Sequence, residues 1–488
     1  MFGPNTYIDY PTSISFSHRD KQFIEVYKEL KETFSEKFNL QDYDILFIGG
    51  SGTTAIESVV WSTLNDIEVS GVGGVFKNKW ERLVKTYGKE GSSKYYRDIL
   101  FCQLETSNSS YYEEIISRWN GSIVDAISSF PYYDIPKGVN IFVTCVNKQL
   151  GGFPGLSIVG VKKSFWNRIK DSDEFTYLNL RRYHEYGLKN QTPTTTPTQI
   201  YEHFLHRLKN FDIDELRKKI NKNSELIVNT IGKENTIGDS PCPVITIPKK
   251  NIPEIIARKW NLYGLQTDSK NYQIFTYSCD DEDYKKFCND YITHQTHTGF
   301  YLNPKVKKGK EILDTKLVWS DKWGAPFYHY IEKNFDKENT KILDVGCGDG
   351  SFLRGLQTRG FKDLTGVDFT TVDLSMSSGS INYISSFADN LPFEDNEIDL
   401  LSSSEMLEHL HEDNVQDVLK EFKRVCNGTL FLTCSHKESG EEHEGQNLHF
   451  TIKDKDWWED TLSEHFDILK IDITGSTKQN SNFVLESK

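Results

Sequence analysis

The apolar positions of this chain gather in short, dense runs that end on turn residues. Ile45-Leu-Phe-Ile48 leads directly into Gly49-Gly-Ser-Gly-Thr53, and helix-forming residues run on from Thr54. Gly121-Ser-Ile-Val-Asp125 ends on an acid. Ile141-Phe-Val-Thr-Cys-Val146 ends beside Lys148 and the glycine-rich stretch Gln149-Leu-Gly-Gly-Phe-Pro-Gly155. Lys341-Ile-Leu-Asp-Val345 enters a second glycine turn, Gly346-Cys-Gly-Asp-Gly350. Short apolar runs bounded in this way read as strands buried on both faces. They alternate with helical patterns along the chain, which predicts α/β folds with largely parallel sheets.

The two strand–glycine–helix signals, starting at Tyr43 and Thr340, divide the 488 residues into two halves. A chain of this length exceeds one ordinary domain. The stretch KVKKGKEILDTK, from Lys305 to Lys316, is charged and has no strong period. We therefore expect a first domain over residues 1–300, a linker over 301–318 and a second domain over 319–488. No internal repeat is evident, and QTPTTTPTQ (Gln191 to Gln199) reads as a loop leading into a helix.

Composition narrows the classes. Hydrophobic content of 37% with 26% charged residues is globular. A net charge of −14 argues against a general nucleic-acid binder, whose phosphate contacts need a basic surface. No run of about 18 apolar residues is present, so no membrane span is expected. The N-terminus lacks a basic stretch followed by an apolar one, so no secretory signal is expected either. The eight cysteines are scattered, with no C-x-x-C pair, which suggests neither a zinc framework nor disulfides. A reducing, cytoplasmic setting follows.

Lys148 is the first candidate for chemistry. A lone lysine at a strand end is ordinarily a solvated charge; one held in a cleft can offer a neutral amine for Schiff-base chemistry. Asp125 closes one strand much as Lys148 closes the next, and parallel strands bring their C-terminal ends to one edge. The Gly49–Thr53 turn opens a helix whose free N–H groups suit a phosphate, with the Ser51 and Thr53 hydroxyls beside it. An amine, an acid and a phosphate seat match the needs of pyridoxal phosphate.

These segments resemble the class V aminotransferases of fold type I, nearest to 2-aminoethylphosphonate and alanine–glyoxylate transaminases, over roughly residues 1–290. The likeness runs through SHRDKQFIEVYKEL with His18 and Arg19, GGSGTTAIES, GGVFKNKWERLVKTYG, QLETSNS, IVDAISSF, VNKQLGGFPGLSIVGV and TTTPTQIY, in the family's order. It implies a mostly parallel large domain with a small α+β domain. It also implies that Lys148 bonds the cofactor, Asp125 faces the pyridine nitrogen, and Ser51, Gly52 and Thr53 hold the phosphate. Phe76 would stack on the ring, Thr106 would touch the cofactor, and Thr196 would reach the neighbouring subunit's phosphate in a homodimer. Two departures stand out. Thr276 occupies the position where the family places a substrate-clamping arginine, and Lys79 stands where arginine is common. The cofactor site reads as intact and the substrate clamp does not.

In the second half, glycines at 346, 348 and 350 admit a close ligand, and Asp368 ends the next strand at the position that binds ribose hydroxyls. A dehydrogenase would fit that much. Asp344 and Asp349, however, would repel a pyrophosphate and suit a sulfonium with an amino-acid tail. LDVGCGDGSF and FADNLPFEDNEIDLLSSSEMLEHL resemble the class I S-adenosylmethionine-dependent methyltransferases, Rossmann-like in fold, over roughly residues 320–488. The resemblance implies that Gly346 and Gly348 cradle the cofactor, Asp389 receives the adenine amine and Glu405 lines the cleft floor. His449 and the pair Trp457-Trp458 read as packing, with His449 also weighed as an acceptor-side base. The expectation is a bifunctional enzyme using pyridoxal phosphate and S-adenosylmethionine on small molecules. The alternatives are a first half that serves only as a dimerisation or binding scaffold, and a lyase or aldolase on the same fold.

Overall fold

The computed structural model describes residues 17–90, 97–112, 122–302, 325–348, 350–369, 381–440, 442–443, 445–471 and 480–488. The chain forms two compact units. One comprises residues 1–253 and 260–284, the other residues 254–259 and 285–488. The stretch expected as a linker, 301–318, lies outside the described residues except for 301 and 302, which end the helix Asp281–Leu302.

The first unit is built on a six-stranded sheet in the order Tyr43–Gly49, Leu156–Lys162, Ile141–Cys145, Ser122–Asp125, Arg97–Cys102, Asp66–Ser70. The last four are mutually parallel; Leu156–Lys162 runs against both of its neighbours. Successive side chains along each strand point to opposite faces, and both faces are buried. Ile45 and Phe47 point into one core, while Leu46 and Ile48 point into the other. Phe142 likewise lies on the face opposite Ile141, Val143 and Cys145. Both faces are therefore dry, which is why these strands read as unbroken apolar runs.

Helices cover both faces. Lys21–Lys37 buries Phe23, Tyr27, Leu30 and Phe34, one apolar stripe at helical spacing. It packs against Thr198–Lys209, where Phe23 meets Tyr201 edge-on at 5.2 Å between ring centroids. Gly52–Ser62, Val75–Thr86 and Leu180–Leu188 cover the other face through Ile56, Val59, Trp80, Val84 and Tyr183. A smaller α+β portion pairs Val244–Pro248 with Asn271–Phe275, antiparallel, beside the helix Ile213–Ile231.

The second unit carries a seven-stranded sheet in the order Ile381–Ser385, Asp363–Asp368, Lys341–Val345, Ile398–Ser404, Cys426–Ser435, Asn480–Ser487, Phe466–Ile471. The first five strands are parallel, and Asn480–Ser487 is antiparallel to both of its neighbours. Alternate residues again face two cores, with Leu343, Leu401 and Leu485 on one side and Ile342, Leu400 and Val484 on the other. Chain order reverses between Lys341–Val345 and Ile398–Ser404. Open sheets bind ligands at such a switch point, outside the carboxyl ends of the strands. Among the described residues, no helix is long and apolar enough to cross a membrane.

Candidate functional site

In the first unit, Asp125 and Lys148 follow from neighbouring parallel strands, Ser122–Asp125 and Ile141–Cys145. The phosphate-seat helix begins at Gly52, two residues earlier than its sequence pattern indicates, with Ser51 as N-cap. Gly52 is sterically required: a Cβ there would stand 2.5 Å from the Ile127 side chain. The helix N-terminus thus abuts the segment that follows Asp125. Its first-turn N–H groups have no partner within the helix. Beside them, the Lys79 ammonium donates to the Thr53 hydroxyl at 2.7 Å.

Asp125 is buried. Its Oδ2 accepts the Trp80 indole N–H at 2.9 Å and its Oδ1 the Ile127 N–H at 3.0 Å. Burial pushes its carboxyl above the usual range, against the opposing pull of the Ile127 N–H, Lys148 and Trp80. The nearby Cys102 thiol is held well above its ordinary value by burial and then by Asp125, so it is not a nucleophile. Lys148 donates to the Ser128 hydroxyl at 2.6 Å, and its Nζ lies 5.9 Å from the centre of the Phe76 ring. Phe76 is fixed by its own backbone, whose N–H donates at 3.0 Å to Glu105; that carboxylate also takes the Lys77 N–H. The donor set fits pyridoxal phosphate: an amine, a buried acid held by two donors, an aromatic face and a helix N-terminus.

Other expected residues fall at various distances from this centre. The Thr196 hydroxyl would stand 4.0 Å from a Cβ on Gly49, near the phosphate turn of its own chain. Thr106 is buried, and its carbonyl accepts from the Thr246 hydroxyl at 3.2 Å. Arg19 donates to Gln191 and to the Thr192 carbonyl, both at 2.9 Å, and so ties down the loop before Thr196. Thr276 is fully buried and donates to the Cys242 carbonyl at 3.1 Å, in a packing role.

In the second unit the glycine turn sits at the switch point. Gly346 has φ +75°, and a Cβ there would meet Met406 at 2.4 Å, so backbone alone fits. The Gly348 N–H donates to Asp368 Oδ2 at 2.9 Å, which joins the glycine turn to the next strand end. Asp344 is buried and accepts from the Ser402 hydroxyl at 2.6 Å. Asp389 pairs through Oδ2 with Lys259 at 2.6 Å, while its buried Oδ1 has no partner among the described residues. Phe369 and Phe387 lie parallel beside it, with ring centroids 5.7 Å apart. Glu405 holds a left-handed backbone at φ +52°, rare for a residue with a side chain, and accepts from Thr433 and Asn480. Asp349 lies outside the described residues. Trp458 is fully buried in the core, in line with packing. A glycine cradle, an orphaned acceptor at Asp389 and acids at Asp344 and Asp368 fit S-adenosylmethionine.

Residues 343–432 match a family described as a methyltransferase domain. A solved structure of a subgroup IV aspartate aminotransferase from Thermus thermophilus aligns over 58% of this chain and 95% of its own, with a TM-score of 0.50 and 17% identity. That likeness concerns the fold. The chain joins an aminotransferase fold to a methyltransferase domain. By sequence, it is 27% identical to an uncharacterized aminotransferase of Methanocaldococcus jannaschii, over 36% of this chain and 55% of the relative. It is 34% identical to EEF1A lysine methyltransferase 2 of Danio rerio, over 14% of this chain and 30% of the relative. The alignments therefore span less than two thirds of either relative.

Sequence reasoning did not single out Trp80, Ser128 or Glu105 in the first unit, nor Lys259, His297, Glu408 and His409 in the second. Only the last two left a signal, the spacing Glu405-x-x-Glu408-His409.

Proposed function

We propose that the first unit is a pyridoxal-phosphate-dependent aminotransferase and the second an S-adenosylmethionine-dependent methyltransferase, serving one route of small-molecule chemistry. The observation that carries the first reading is the convergence of Lys148, Asp125 and the Gly52 helix N-terminus at one sheet edge. When bound, pyridoxal phosphate supplies an aldehyde that bonds an amino group and a ring that draws electrons from it. Lys148 supplies the protein amine and, beside Ser128, moves the proton at the substrate α-carbon. Asp125 holds a proton on the ring nitrogen, with Trp80 and the Ile127 N–H stabilising its charge. Ser51, Thr53, Lys79 and the first-turn N–H groups of the helix take the phosphate, while Phe76 covers one face of the ring. Thr106 is assigned to touch the cofactor, and Thr196, beside Gly49, to meet a phosphate in the dimer.

The buried Thr276, in place of an arginine clamp, supports a donor or acceptor other than an ordinary amino acid, sugar-like or larger. In the second unit, Gly346 and Gly348 admit the cofactor and Asp368 takes its ribose hydroxyls. Asp389 Oδ1 takes the adenine amine, with Asp344 and Glu405 toward the charged end. A two-fold dimer through residues 1–290, a linker over 301–318 and a cytoplasmic setting complete the proposal.

The test is a screen of the full chain, loaded with pyridoxal phosphate, against amino donors, read by the cofactor's visible absorbance. At least one donor should convert the spectrum, and an added keto or aldehyde acceptor should restore it. A spectrum that no donor alters removes the transaminase reading and leaves the scaffold. Conversion without a required acceptor points to the lyase.

A further inference from the structure

The turn after the strand Ile398–Ser404 holds side chains that the cofactor assignments leave unused. Glu408 is fully buried on the short turn Leu407–His409. Its Oε1 accepts the Ser435 N–H at 3.2 Å, and its Oε2 reaches no donor among the described residues apart from the neighbouring Glu405 carboxyl. A carboxylate oxygen buried in this way is costly unless something meets it. Glu408, His409 and His449 each bring one ligand atom within 4.8 Å of the other two. The chain also pins these residues together through its backbone, since the Phe450 and Thr451 N–H groups both donate to the Glu408 carbonyl.

The surrounding hydrogen bonds fix which nitrogens keep a lone pair. The Lys437 carbonyl lies 2.6 Å from Nδ1 of His449, and the Leu448 carbonyl lies 2.9 Å from Nδ1 of His409. A carbonyl only accepts, so both Nδ1 atoms carry the proton and both Nε2 atoms keep a lone pair. His297 repeats the pattern: its Nδ1 faces the Thr293 carbonyl at 2.7 Å, which leaves its Nε2 to accept from His409 Nδ1 at 2.8 Å. Backbone support on the far nitrogen is the usual backing of a metal-bound imidazole. The cluster thus offers two imidazole lone pairs and one buried carboxyl to a cation.

We propose that Glu408, His409 and His449 form a binding site for a borderline divalent ion, zinc foremost. Two imidazoles and a carboxylate favour zinc, cobalt or manganese over calcium and magnesium, which take oxygen ligands. Around a tetrahedral zinc with bonds of about 2.0–2.2 Å, ligand atoms stand about 3.4 Å apart, so closing the site moves each by less than about 1 Å. Three protein ligands leave a coordination position for water or for an oxygen or nitrogen of a methyl acceptor. That last step rests on the methyltransferase reading; the binding of metal does not.

The experiment uses the full chain, stripped with a chelator and titrated with zinc or cobalt chloride in the absence of S-adenosylmethionine and acceptor. Wild type should bind about one equivalent, with visible ligand-field bands for cobalt. His449→Gln should weaken affinity by at least about a hundredfold, and Glu408→Gln should do the same. His206→Gln, in the first unit, should bind as wild type does. If Glu408→Gln fails to fold by circular dichroism, His449→Gln decides alone, because its ring lies in an irregular segment. Absence of saturable binding by wild type, or undiminished binding by His449→Gln, overturns the site. Neither outcome touches the methyltransferase reading, and failure to transfer methyl groups leaves the metal result standing.

Discussion

Trp80 donates its indole N–H to Asp125 at 2.9 Å across a fully buried contact. Burial alone pushes the Asp125 carboxyl upward, so this donor helps keep it ionised where a cofactor ring nitrogen would need an anion. Trp80→Phe preserves most of the packing and removes the donor. It should lower the unfolding free energy of the first unit by about 1.5–3 kcal/mol, the worth of a hydrogen bond to a charged group, as measured in denaturant unfolding. Asp125→Asn should retain pyridoxal phosphate yet slow any donor half-reaction by about a hundredfold or more.

Lys148 lies between Ser128 and the Phe76 face, and the first reading makes its amine the one that bonds the cofactor's aldehyde. Lys148→Ala should therefore abolish the visible band that pyridoxal phosphate gives with wild type. Borohydride treatment of wild type should add the cofactor's mass to the peptide containing Lys148. An adduct on another lysine, such as Lys79, would move the site to the other end of the phosphate turn.

Much of this geometry was legible in the sequence because strand ends and turns are local. Asp125, Lys148, the Gly49–Thr53 turn and the Gly346–Gly350 turn each sit where a buried run stops, and the sheet topology then aligns them. The direction of Leu156–Lys162 was not legible. A strand buried on both faces gives the same apolar run whichever way it points. Trp80 was hidden because its partner lies 45 residues away and its own helix reads as amphipathic either way. Glu105 looked like part of a polar loop, whereas it caps the helix Val75–Thr86 from the short strand Leu104–Glu105. His409 and His449 lie 40 residues apart in the chain and meet only because the loop around Leu448 folds back onto the turn Leu407–His409.

Asp368 binds the glycine turn directly, through the Gly348 N–H at 2.9 Å. Its carboxylate would serve ribose hydroxyls while holding that turn in place. Asp368→Ala should weaken S-adenosylmethionine binding by about tenfold or more, from lost charge-assisted hydrogen bonds worth about 1.5–3 kcal/mol. Calorimetry on the full chain reads this, and the pyridoxal phosphate spectrum should stay unchanged. Normal binding by the variant would remove the ribose assignment.

His294 gives the second unit a pH dependence of definite sign. Its ring packs at 5.7 Å from Phe369, next to the Phe369–Phe387 stack, and burial followed by His297 pushes it down to about 4 from an ordinary 6.5. The unfolded chain takes up a proton below about 6.5, and the folded chain does so only near 4. The unfolded state therefore binds more protons across that window, and stability falls as pH drops through it. The contribution is present in full above 6.5 and amounts to no more than about 3.5 kcal/mol. Thermal unfolding followed from pH 7.5 to 4.5 should show the second unit's transition moving to lower temperature as the buffer is acidified. His294→Gln keeps polarity and size close to those of histidine but cannot titrate. The variant should show a shallower slope over the same range, and an unchanged slope would mean that other groups carry the acid sensitivity.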